Sequence, residues 1–82
     1  MKAAVVRHLA ERYGMNELAV GAEAIAEYGE DRLGVEGDDL GEKLTHLLLA
    51  MRIRTRVDAG EALKDAFRAE MANVREVLTN EG

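Results

Sequence analysis

The chain has no cysteine, proline or tryptophan among its 82 residues, and it also lacks serine and glutamine. Without cysteine there are no disulfides, no thiolate nucleophile and no Cys-ligated zinc or iron–sulfur site. With serine missing too, the hydroxyls are Thr45, Thr55, Thr79, Tyr13 and Tyr28, and no nucleophile, base and orienting acid stand in a recognisable arrangement. The expectation is a protein that is not an enzyme and carries no cofactor. Without proline, helix breaks fall to glycine. Aromatic side chains are limited to Phe67, Tyr13 and Tyr28, so Leu, Val, Ile, Met and Ala must do most of the packing. The longest apolar run, Leu47 to Met51, is five residues, against the ~20 needed to span a bilayer. No membrane span is expected. No long apolar stretch with a cleavage site opens the sequence, and an intracellular, cytoplasmic chain is the default expectation.

What is present is globular in composition, with 48% hydrophobic and 33% charged residues. The length suits a single domain spanning residues 1–82. A core of this size usually supplies a net stability of only ~3–5 kcal/mol. Self-association, as a homodimer, is therefore expected.

Apolar periodicity predicts an all-α fold, a small bundle of four helices over about 2–13, 16–33, 39–57 and 59–79. In the first, Val5, Val6, Leu9, Ala10 and Tyr13 share a stripe, and Gly14 offers a left-handed stop. Asn16 and Glu17 suit the start of the second, whose stripe of Leu18, Gly21, Ala22, Ile25, Gly29 and Leu33 has small residues that would admit a neighbouring backbone. Residues 34–38 read as a mobile acidic loop. Asp39 with Glu42 three residues later forms a capping box before the third helix. That helix presents Leu40, Leu44, Leu47, Leu48 and Met51 on one face, widened by Leu49 and Ile53, and is expected to be central. Asp58 with Glu61 repeats the capping signal for a fourth helix with Leu63, Ala66, Phe67, Met71, Val74 and Leu78 inward. The assembly and core positions are accordingly Leu44, Leu47, Leu48, Met51, Leu63, Phe67, Met71, Val74 and Leu78.

One segment also carries a period of two, since Met51, Ile53, Thr55 and Val57 alternate with Arg52, Arg54, Arg56 and Asp58. As a strand, Met51 to Asp58 would have to pair with the same strand of a second chain, forming an intermolecular β-ribbon. This alternation resembles the first strand of ribbon-helix-helix DNA-binding proteins, whose paired strands enter the major groove. The resemblance covers about eight residues, and it departs from that family after Asp58, where one helix replaces two. It implies a dimeric DNA-binding transcriptional regulator with Arg52, Arg54 and Arg56 facing DNA. On a helix the same arginines diverge, Arg52 and Arg56 to one side and Arg54 to the other. They would then pair with acids on neighbouring helices.

Net charge is −5, from 11 Lys and Arg against 16 Asp and Glu, which disfavours nucleic acid as a general partner. The acidic residues Glu30, Asp31, Glu36, Asp38, Asp39 and Glu42 concentrate around the glycines and form the candidate partner-binding site. The reading that follows is a small regulatory or adaptor protein that binds another protein, in the manner of an inhibitor or antitoxin. Reversing Asp38 and Asp39 should weaken partner binding without unfolding the chain. An EF-hand is excluded because Leu33 and Val35 occupy ligand positions counted from Asp31. Glu42 with His46, and His8 with Glu11, could share helix faces as a two-helix metal site, but the histidines read as ordinary surface or boundary residues and no metal is expected. Neither glycine-rich nucleotide motif is present.

Overall fold

The computed structural model describes the backbone of residues 1–80 and the side chains of residues 1–74. Its elements are α1 (Ala3–Arg12), α2 (Met15–Tyr28), α3 (Leu40–Asp58) and α4 (Leu63–Asn80), with no strand among the described residues. The all-α bundle is as the periodicity requires. Met51 to Asp58 belongs to the last turns of α3, so the β-ribbon alternative does not form. The apolar run immediately before Met51 is followed by no turn residue, and helical hydrogen bonding carries through it.

Helix boundaries follow glycine more closely than the stripes do. Gly29 takes φ +66°, and its amide and that of Glu30 return to Ile25 and Ala24, ending α2 at Tyr28 rather than near residue 33. Gly60 takes φ +111° and closes α3 with a Schellman pattern, Glu61 N–H to Arg56 O at 3.0 Å and Gly60 N–H to Val57 O at 3.0 Å. The Asp58–Glu61 pair is consequently no capping box: Asp58 ends α3, and α4 starts at Leu63. Gly14 is not left-handed, with φ −80°, and it rather than Asn16 caps α2, donating its N–H to Glu17 Oε1 at 3.1 Å. Asp39 caps α3 as expected, its Oδ1 accepting Glu42 N–H at 2.8 Å.

α3 packs against each of the other helices and is central. Its inward stripe is His46, Leu47, Ala50 and Ile53, while Leu40 and Leu48, placed on the inner face by their hydrophobicity, are exposed. Leu44 and Met51 are half-buried against the core. Around this stripe close Val5, Val6, Leu9 and Ala10 of α1, Leu18, Ala22 and Ile25 of α2, Val35 of the loop and Ala66 of α4. Gly21 lies under the side chain of Leu33, not a backbone: a Cβ there would stand 2.8 Å from Leu33 Cδ1. Leu63, Phe67, Met71 and Val74 are half-buried; Leu78 lies outside the described side chains.

α4 meets α3 through charge as well as apolar surface. Glu70, only 3% exposed, accepts Arg52 Nε–H at 2.6 Å and Arg56 Nε–H at 3.0 Å, with Asn73 Nδ2 at 3.3 Å. Leu47, beside Gly21 of α2, and Arg56, bound to α4, are nine residues apart, which at ~100° per residue places them on opposite sides of α3. α2 and α4 therefore flank it, and the molecule is a slab of 34 × 31 × 18 Å.

Candidate protein-binding surface

The connection from Gly29 to Asp39 is held from within at several points. Asp31 Oδ1 accepts Val35 N–H at 3.0 Å, and Asp31 Oδ2 pairs with Lys43 Nζ at 3.1 Å. Leu33 and Val35 are drawn into the core between these anchors. Further along, the carbonyl of Glu36 meets Nδ1 of His46 at 2.8 Å, while His46 Nε2 accepts the Lys2 amide hydrogen at 2.9 Å. Because Lys2 N–H only donates, the ring hydrogen belongs on Nδ1, which donates to Glu36. Both nitrogens of this fully buried ring are thereby used, and His46 is a core clamp rather than a surface residue.

Glu42 completes the clamp at the start of α3. Its Oε1 accepts Asp38 N–H at 2.9 Å and its Oε2 accepts from the Met1 amine at 3.3 Å. The Asp38 hydrogen bond above all, and then the amine, hold the Glu42 carboxyl below the usual carboxylate range.

The six acids of the candidate site accordingly divide. Asp31, Asp39 and Glu42 bind backbone or lysine and shape the loop. Glu30 lies on the surface beside Arg32 at 3.4 Å. Glu36 and Asp38 are exposed, and their carboxylates form no ion pair or hydrogen bond among the described residues. They are the outward-pointing charges of an otherwise tied segment. The field extends beyond them: residues 13–42 contain nine acids and one base, Arg32, for a charge of −8, whereas the rest of the chain carries +3.

The arginines are engaged elsewhere. Arg52 and Arg56 are drawn to Glu70, Arg56 also reaches Glu61, and Arg54 donates to Asp58 at 2.8 Å and to Ala10 O at 3.3 Å. Burial works to raise the Glu70 carboxyl, but hydrogen bonds from Arg52 and Arg56 outweigh it and hold the group below its ordinary value. Hydrogen bonding to Glu70 raises Arg56 in turn. The coherent basic ribbon required for strand-type DNA reading is thus not assembled.

His8 is exposed on α1 and His46 is enclosed, and no group of three His, Cys, Asp or Glu among the described residues is placed to share a metal ion. No described helix is long and apolar enough to cross a membrane.

Sequence reasoning placed His46 at the surface or its boundary and missed Glu70 and Gly60. Gly60 was visible as a breaker two residues beyond Asp58. Glu70 sits four residues after Ala66, within the α4 stripe, and His46 sits beside Leu47 in the α3 stripe. Polar residues inside an apolar period were the available signal.

No curated protein and no solved structure matches the chain. A model described as a family of unknown function, DUF6952, matches residues 1–79. The chain belongs to the DUF6952 family.

Proposed function

We propose that this chain is a small, non-enzymatic cytoplasmic regulator or adaptor, of inhibitor or antitoxin type, whose acidic connection docks on a basic surface of another protein. The observation that carries this reading is the internal fixing of residues 29–39, which leaves Glu36 and Asp38 exposed and without partners among the described residues. A pre-fixed segment loses less conformational entropy on binding than a free one. The surrounding −8 field adds steering toward cations. Asp39 is a cap, so Glu36 and Asp38, not Asp38 and Asp39, are the positions whose reversal separates binding from folding.

The test is capture from nuclease-treated lysate of the source cell by tagged wild type and by Glu36→Lys/Asp38→Lys. The wild type should retain a protein in stoichiometric amount that the variant loses while keeping its helical circular dichroism. Equal retention by both, or retention of nucleic acid alone in an untreated lysate, rejects the reading.

A further inference from the structure

α1 and α4 leave an apolar groove of about 470 Å³, with Ala3, Phe67, Met71 and Val74 in its walls and Arg68 at its edge. Arg7 adds a second cation over the Phe67 ring, 5.6 Å from its centre. Lys64 stands four residues before Arg68 on the same side of α4. Arg7, Lys64 and Arg68 are exposed and have no ion-pair partner among the described residues. The groove is thus largely apolar within, with Arg68 at its edge and Arg7 and Lys64 nearby.

On the opposite flank of α3, α2 presents the inverse pattern. Val20 is 53% exposed and Tyr28 is 66% exposed, and Glu23 and Glu27, also exposed, stand between them. α2 contains no basic residue. Arg32 borders this face, but its charge is matched by Glu30.

We propose that the chain self-associates head to tail, the Val20–Tyr28 face of one copy seating in the α1–α4 groove of a second copy. Each copy carries both halves of the match: apolar side chains beside the acids Glu23 and Glu27 on one flank, and a largely apolar cleft beside the bases Arg7, Lys64 and Arg68 on the other. The occupant is a second copy because the chain's two faces carry opposite charge, Glu23 and Glu27 on α2 against Arg7, Lys64 and Arg68 beside the groove. Since the two faces differ and flank α3, the contact is heterologous, and it closes into a ring or extends as a chain. It uses a different set of residues from Glu36 and Asp38, so it stands or falls separately from the partner-binding reading.

Light scattering on the full chain tests it, using wild type, Glu23→Lys/Glu27→Lys and Lys64→Glu/Arg68→Glu. At low ionic strength the wild type should weigh at least twice a single chain, and added salt should return it toward one chain. Each variant alone opposes like charges across the contact and should stay at single-chain mass. An equimolar mixture of the two restores opposite charges at both contacts and should regain the wild-type mass. A wild type that remains a single chain at high concentration, an association unaffected by salt, or variants that associate as well as wild type would overturn the proposal. All four positions are exposed, and circular dichroism of each variant checks that it is folded; if one is not, the other still tests the contact, since it should stay at single-chain mass where the wild type associates.

Discussion

His46 Nδ1 lies 2.8 Å from the carbonyl oxygen of Glu36, so a fully buried ring in α3 fixes the backbone beneath an exposed acid of the connecting segment. The same ring holds the backbone of Lys2 through its other nitrogen. Core packing and the display of the acidic edge are therefore coupled through one side chain.

Replacing His46 with Phe keeps an aromatic ring in the core but removes both hydrogen bonds. Leaving the Lys2 amide and the Glu36 carbonyl unpaired should cost about 2–4 kcal/mol, most of the stability of so small a domain. Urea unfolding measures this, and amide exchange should accelerate over residues 29–39 before it does in α2. Wild-type stability in His46→Phe would show that the clamp contributes nothing.

Glu70 sets the response to acid. Its folded-state carboxyl lies below the ordinary value, so its contribution to stability is complete above the unfolded carboxylate pKa of about 4.3 and is lost as pH falls through the folded value. Glu42 acts in the same direction. Glu70→Gln should cost about 1–3 kcal/mol at neutral pH, less than a fully enclosed pair because Arg52 is largely solvated. Unfolding curves taken between neutral pH and the carboxylate range should lose less stability on acidification in Glu70→Gln than in wild type. An identical slope would place the acid sensitivity elsewhere.

Asp39 and its neighbours separate folding from display. Asp39→Ala removes the cap on Glu42 N–H and should destabilise the fold by about 0.5–2 kcal/mol, whereas Glu36→Lys/Asp38→Lys should leave the melting midpoint nearly unchanged. Thermal melts followed by circular dichroism compare them directly. A large loss in the double variant would mean that these carboxylates stabilise the loop.

Leu47 and Phe67 test the packing. Leu47 is fully enclosed at the centre of α3, and Leu47→Ala should cost about 2–5 kcal/mol. Phe67 is half-buried beneath Arg7, so Phe67→Ala should cost less, about 1–3 kcal/mol, rather than the 3–5 kcal/mol of a core ring. The reverse order in denaturant midpoints would place the centre of the core on α4.

Much of the fold was legible because it follows from residue pattern. Val5, Val6, Leu9 and Ala10 form a stripe that any amphipathic helix would bury, and the Asp39–Glu42 cap is local chemistry. The stop at Gly29 was obscured because Leu33 continued the apolar period of α2, although it enters the core from the connecting segment and packs over Gly21. Hydrophobicity placed Leu40 and Leu48 inward, whereas His46 takes an inner position because two distant backbone groups satisfy its ring. Glu70 is buried for the same kind of reason, since its partners are arginines 14 and 18 residues away along the chain. Within the site, the acidic concentration was readable as composition. The division between acids that hold the segment and acids that face outward depends on tertiary contacts from Lys43 and His46 and on the turn geometry around Glu42.

The central claim is that Glu36 and Asp38 bind a basic protein surface. Its most direct test is the affinity of the captured partner for wild type and for Glu36→Lys/Asp38→Lys, measured by titration calorimetry over a range of salt concentrations. The account predicts a loss of about tenfold or more in the variant and a wild-type affinity that weakens steeply with salt. Equal affinities, or a wild-type affinity indifferent to salt, would contradict it.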